Sequence, residues 1–285
     1  MRIGTGSCKG TFGELVQGVY KGRPFLITFP ISPLQSEAIF IPQAENSEII
    51  GASSHTKAIE GCNKLLKQFA ITSGGCLHIQ SNIPVGKGMA SSSADIVAAL
   101  KAVANSYSLP ISEEMMSRVS IEIEPTDGVM YDEAVAYDYR NGSLLESFGS
   151  LPSFLLIGMD TGGTVDTVQF NTQTKSYTSE ECSTFAKAYE WVREGIYTQD
   201  LSLICQAATM SAQINQRFLQ KPCFHEFQKL TDTYGGGIVT AHSGTVLGIL
   251  MHPQSPHVTS IYQHIVDLVE ESEESYVLYA FVHRG

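Results

Sequence analysis

Pro84, Val85, Gly86, Lys87, Gly88, Met89, Ala90, Ser91, Ser92 and Ser93 sit between two segments of different period. Before them, Cys76-Leu-His-Ile-Gln80 alternates and predicts a strand. After them, Ile96, Val97, Leu100, Val103 and Ala104 recur at helical spacing, predicting a helix over about 91–108 with one buried face. A strand, a glycine loop and a serine-rich helix start suit an anion. The first N–H groups of a helix have no partner within it, and its dipole puts positive charge there. Glycines let backbone approach phosphate oxygens. Ser91, Ser92 and Ser93 offer cap oxygens, and Asp95 is expected in the first turn. On residues alone, the stretch serves equally well as an ordinary strand-to-helix turn.

Two common nucleotide motifs are excluded. A P-loop needs glycine at 81 and Ser or Thr after Gly-Lys, but residue 81 is serine and Gly88 follows Lys87. Gly4, Gly6 and Gly10 miss the dinucleotide spacing by one position.

Composition narrows the classes further. The 285 residues carry 18 Lys and Arg against 29 Asp and Glu, a net charge of -11 without a basic run. That argues against nucleic acid as a partner. An anionic ligand must be held by local devices. The longest apolar runs are of strand length, and the N-terminus has no apolar signal core, so no membrane span and a cytoplasmic location are expected. None of the six cysteines forms a CxxC pair, which removes the usual zinc pattern and fits free thiols.

Along the chain, Phe25–Phe29 and Ala38–Ile41 read as strands and 56–70 as a helix, whereas residues 1–20 read as glycines among short polar runs. Ser112 opens a short helix that Glu124-Pro-Thr-Asp-Gly128 breaks. Residues 131–139 alternate loosely towards an Asn141-Gly142 hairpin turn. A new strand begins at Leu151, which places a domain boundary near 150 and divides the chain into 1–150 and 151–285. The second part has helical spacing over 179–198, 200–217, 222–233 and 257–271, with strands at 237–240, 245–251 and 276–282. This is α+β order.

Pro84, Gly88, Met89, Ser91 and Ser92 resemble P-x-x-x-G-L-x-S-S, the ATP loop of the GHMP kinases, with Met for Leu. Gly10-Thr-Phe-Gly13-Glu14-Leu-Val-Gln-Gly18 resembles that family's first motif, and Gly235 to Val246 its third. The resemblance implies a two-domain fold: a ribosomal protein S5 domain 2-like N-terminal domain and a ferredoxin-like C-terminal domain. It implies ATP and Mg²⁺ as cofactors, with residues 84–93 and Gly244 at ATP. Ser91 would touch the phosphates or the metal, Glu124 would bind Mg²⁺, and Asp127 would orient or deprotonate the attacking hydroxyl. Gly13 and Glu14 would belong to the substrate site. The family reads Pro-Ser-Gly-x-Asp, whereas Pro125-Thr-Asp127-Gly128 places the acid before the glycine.

Within that family, residues 11–18, 124–130 and 160–167 resemble the L-threonine kinases of cobalamin synthesis. The acceptor implied is the hydroxyl of L-threonine, giving L-threonine O-3-phosphate for the adenosylcobalamin nucleotide loop. Asp160 and Asp166, around Thr161, Gly162 and Gly163, then meet a substrate ammonium, or else are solvated acids at a strand corner. Homoserine or another small alcohol is the alternative acceptor, and a catalytically silent ATP sensor is a second alternative. The partner is thus a small molecule, and a homodimer stays open. Lys87 either touches a phosphate or points to solvent. Glu122, His78, Tyr189 and Trp191 read as surface or packing residues, and no nucleophile elbow surrounds His242 and Ser243.

Overall fold

The computed structural model describes residues 2–165, 170, 175–272 and 276–285. Asp166 lies outside them. In chain order the named elements are β1 (Gly4–Gly10), β2 (Val16–Tyr20), β3 (Arg23–Thr28), β4 (Ile31–Gln43), β5 (Ile49–Gly51), α1 (Thr56–Gln68), β6 (Gly74–Ser81), α2 (Ser91–Tyr107), α3 (Glu113–Ile121), β7 (Ala134–Asp138), β8 (Ser143–Gly149) and β9 (Phe154–Asp160). There follow α4 (Ser179–Thr198), α5 (Leu201–Asn215), α6 (Phe224–Tyr234), β10 (Gly237–Thr240), β11 (Val246–Met251), α7 (Val258–Glu270) and β12 (Val277–His283).

The first sheet runs β1-β4-β6-β5. Along β4, Ile31, Leu34, Ser36, Ala38 and Phe40 are buried while alternate neighbours face outward, the period-two pattern of a sheet covered on one side. The cover is α2. A Cβ built on Gly4 would stand 2.1 Å from Ala102 O, and one on Gly6 would stand 2.3 Å from Ala98 O. Strand and helix backbones therefore touch. The glycines that make residues 1–20 look like a loop are there to let a helix lie directly on a strand.

The second sheet runs β2-β3-β7-β8. All five residues of β7 are buried, so it does not alternate as its sequence suggests. Both of its faces are covered. Helix α4, from the second half of the chain, lies on β2: Gly18 sits under the Phe185 ring, and Tyr20 stacks on Tyr189 at 4.1 Å between centroids. Glu146 on β8 ties α4 down through Arg193 Nε at 2.8 Å and Tyr189 Oη at 2.8 Å.

The third sheet runs β10-β11-β9-β12, antiparallel throughout. Strand, helices, strand, strand, helix, strand in chain order, laid out as β10-β11-β9-β12 in the sheet, is the ferredoxin-like arrangement. Every residue of β11 is buried. One apolar core extends from the first two sheets to α4 and α5; a smaller one, holding Phe227, Ile261 and Ile265, covers the other face of the third sheet. Among the described residues no helix is long and apolar enough to cross a membrane.

Gly6→Val would force a side chain into Ala98 O and the Lys101 Cβ, which lies 2.7 Å from the built Cβ. We expect it to lower stability by about 1–3 kcal/mol. The readout is a lower urea midpoint at unchanged slope. A variant as stable as the wild type would mean that β1 and α2 stand further apart than described.

Candidate active site

The loop before α2 spends its carbonyls on its neighbours. Gly86 O accepts from Val165 N at 3.3 Å, Lys87 O from Thr245 N at 3.0 Å, Gly88 O from Gly13 N at 3.1 Å and Met89 O from Thr11 N at 3.2 Å. Carbonyls turned to these partners are turned away from an incoming anion. The close packing depends on two missing side chains. Gly88 has φ 78°, and a Cβ there would stand 2.4 Å from the Ala241 Cβ. A Cβ on Gly244 would stand 2.1 Å from Lys87 O and 2.4 Å from Gly88 N. Glu14 N donates to Thr240 O at 3.3 Å, so residues 11–14 and 240–245 meet behind the loop.

The start of α2 departs from expectation. Its N-cap is Ala90, held at φ 62° with no side-chain cap bond, and the first turn contains no acid. A left-handed alanine costs about 1–2 kcal/mol. Helices α3, α4 and α5 each have a side-chain cap, from Ser112, Thr178 and Asp200. In α2, Ser92 gives its hydroxyl to Glu124 Oε1 and Ser93 gives its own to Asp127 Oδ2 at 3.4 Å. Asp95 lies past the first turn, bonded by Ser36 Oγ at 2.6 Å and lying 3.3 Å from His55 Nδ1. The first N–H groups of α2 thus face the cleft without a cap of their own, and the dipole adds to their attraction for an anion.

Two carboxylates border this helix start. Glu124 is 6% exposed; besides Ser92 it meets Lys57 Nζ of α1 at 2.5 Å. Asp127 is fixed through its backbone as well, since its N–H donates to Ser93 Oγ at 3.3 Å. Burial pushes the Asp127 carboxyl up to about 7, with Glu14 and Glu124 adding to the rise and the Ser93 bond opposing it. Glu14 is buried too, and Oε2 accepts from both His242 N and His242 Nδ1 at 3.0 Å. His242 Nε2 lies 2.7 Å from Ser211 Oγ. With its Nδ1 proton on a carboxylate, the ring can accept from the serine as neutral imidazole. Burial lowers its basicity, against the pull of Glu14.

The oxygens of Glu124, Asp127 and Ser92 suit Mg²⁺, which takes one or two carboxylates and completes its shell with phosphate and water. Lys57 already occupies Glu124 as a cation would. Among the described residues no cluster of three or more His, Cys, Asp and Glu is arranged to hold a metal by itself, so such an ion would share its shell with phosphate.

A cavity of about 240 Å³ gathers Glu14, Pro84, Val85, Gly86, Gly88, Met89, Ala90, Ser91, Ser92, Ser93, Glu124 and Asp127 of the expected residues, and adds Lys57, Pro125, Val165 and Ser243. The other expected residues stand behind it. Lys87 Nζ binds Asp160 Oδ2 and Gly163 O, each at 2.6 Å. Asp160 also accepts from Thr245 Oγ1 at 2.6 Å and Gly162 N at 3.1 Å. The ammonium that Asp160 meets is therefore that of Lys87. Thr161 is tied to Thr245 O, Gly13 backs onto Thr240, and Gly244 O accepts from Lys221 Nζ. Glu122 pairs with Lys64 at 3.1 Å on the surface, and His78 lies 3.3 Å from Cys76 Sγ.

Several site residues had no local signature. Lys57 lies 67 positions from Glu124, His242 lies 228 from Glu14, and Ser211 lies 194 from Gln17, whose N–H it accepts at 3.0 Å. Only the topology brings them together.

Residues 55–137 match the family described as GHMP kinases N terminal domain. The chain is 27% identical over 252 residues to the L-threonine kinase of Citrobacter freundii, covering 86% of this chain and 85% of that protein. In structure it is similar to homoserine kinase from Cytophaga hutchinsonii, with a TM-score of 0.73 at 14% identity, covering all of this chain and 96% of that one. It is also similar to mevalonate kinase from L. major, with a TM-score of 0.68 at 15% identity over 99% and 95% of the two chains.

The raised Asp127 carboxyl has a consequence for stability. The folded protein holds this proton up to about 7 and the unfolded chain only to the ordinary 3.8, so folding takes up a proton between those values. Stability then falls as pH rises through that window. Asp127→Asn is expected to be more stable than the wild type at about pH 8, with the gain shrinking toward about pH 4 in urea titrations. A difference independent of pH would contradict the raised carboxyl of Asp127.

Proposed function

We propose that this chain, a kinase with a GHMP kinases N terminal domain, moves the γ-phosphoryl group of ATP to the side-chain hydroxyl of L-threonine. The products are ADP and L-threonine O-3-phosphate, whose use would be in building the adenosylcobalamin nucleotide loop. One observation carries the kinase chemistry: two carboxylates, the buried Glu124 and the half-buried Asp127, adjoin an uncapped helix start and are bonded by its Ser92 and Ser93. The likeness to an L-threonine kinase over most of both chains supports the acceptor.

The roles follow from position. Residues 84–93 and the first turn of α2 hold the phosphates. Glu124 and Ser92 would hold Mg²⁺, at the carboxylate that Lys57 now pairs with. When bound, Mg²⁺ neutralises charge on the phosphates. The threonine hydroxyl attacks the γ-phosphorus, the bond to the ADP oxygen breaks, and the hydroxyl proton goes to Asp127. A carboxylate near 7 suits that task, because it is partly ionised at neutral pH yet basic enough to take the proton. Asp127 stands before Gly128 instead of after it, yet both its N–H and its carboxylate are tied to Ser93, which keeps it on the cleft.

Steady-state rates with L-threonine, homoserine and small alcohols test the acceptor. L-Threonine should give the highest kcat/KM; homoserine turned over far better would overturn the assignment. Glu124→Gln should lower kcat roughly 100-fold or more. Near-normal turnover in that folded variant would remove Glu124 from the metal. The acid limb of the rate profile should fall near pH 7 and vanish in Asp127→Asn, alongside a loss of about 10²–10⁴ in kcat.

A further inference from the structure

Next to Glu14, outside the lining of the phosphate cleft, lies a group of buried polar side chains that phosphoryl transfer leaves unused. Gln17 on β2 is 3% exposed, and among the described residues neither its Nε2 nor its Oε1 has a partner. Asn215, at the end of α5, is 4% exposed, and its Nδ2 has none. Lys221 is 6% exposed and donates to Gly244 O. These residues belong to one cluster. Ser211 Oγ accepts from Gln17 N and lies against His242, which holds Glu14. One turn beyond Ser211, Asn215 O accepts from Phe218 N and Leu219 N at 2.9 Å, and Lys221 N donates to Gln216 Oε1 at 2.8 Å. Lys221 also senses the charges of Glu14 and Lys175.

Such groups are expensive to bury. A polar atom left without a partner costs about 1–3 kcal/mol, and folded proteins keep few of them. An ammonium has three donors to satisfy. The cluster is also polarised, with an acid at the cleft beside Asp127 and a cation with two amides further in. A zwitterion fits that order.

We infer that Gln17, Asn215 and Lys221 bind the α-carboxylate of a hydroxy amino acid, with Glu14 opposite for its α-ammonium. The inference rests on the amino-acid acceptor proposed above. It explains how the site distinguishes an amino acid from a plain alcohol. The carboxylate supplies the acceptor that Lys221 and the two amides await, while the hydroxyl at the other end reaches Asp127. Burial pushes the Lys221 ammonium down to about 7, and an entering carboxylate would restore its charge.

The test compares L-threonine with 1-amino-2-propanol, which keeps the hydroxyl and the amine but lacks the carboxylate. Turnover and calorimetric binding are measured for the wild type, Lys221→Met and Gln17→Leu. In Lys221→Met the threonine KM should rise roughly 10–100-fold, as expected for a lost charged hydrogen bond. The KM for 1-amino-2-propanol should change far less than that for threonine, so preference for the carboxylate disappears. Gln17→Leu should unfold at higher temperature than the wild type and yet bind threonine less tightly, a combination that a purely structural residue would not give. If the wild type phosphorylates threonine and both variants keep its preference over the amino alcohol, the inference is overturned. If the wild type binds threonine but phosphorylates neither compound, the kinase assignment fails, and the binding preferences of the variants still decide the pocket.

Discussion

The contact between Gly88 and Gly244 is the constraint on which the site depends. Two backbones from the first and second halves of the chain meet where neither can carry a side chain. From that contact the rest follows in steps. Thr245 N reaches Lys87 O, Gly13 N reaches Gly88 O, and the loop carbonyls are drawn away from the cleft. The chain then enters α2 through a left-handed alanine, with no side chain capping the helix. The strain in Ala90 and the missing cap are local costs that leave a positive helix end open to a phosphate.

An acidic protein that binds a more acidic ligand has to keep its cations close at hand. Here they are stored in ion pairs. Lys57 lies on Glu124 and Lys87 on Asp160. Lys57 borders the cleft, and Asp160 holds Lys87 just behind the loop. Glu14, Glu124 and Asp127 are crowded together, and the crowding together with burial raises Asp127 toward neutrality. The same burial that costs stability gives the carboxylate its affinity for a proton.

Much of the fold could be read from the residues. The spacing over 179–198 coincides with α4, whose Thr178 and Glu181 form a reciprocal cap, and the α+β order of the second half resolves into the ferredoxin-like sheet. Residues 1–20 misled, because β1 uses glycine to admit α2 and so looks like a loop. β7 misled in the other direction, being covered on both faces. At the site, the segment 84–93 and the acids at 124 and 127 were visible as local patterns, and they do share one cleft. Ser92 is the serine that meets Glu124, a matter of which way the first helical turn faces. The Glu14–His242–Ser211 chain and Lys221 could not be seen, since nothing short-range links residues that lie so far apart in sequence.

The most direct measurement is ³¹P NMR of the protein with ATP, Mg²⁺ and L-threonine. A new phosphomonoester signal, coupled to the β-proton of threonine and growing in step with ADP, is the expected result. ADP accompanied by inorganic phosphate alone, or an unchanged ATP spectrum, would contradict phosphoryl transfer to threonine.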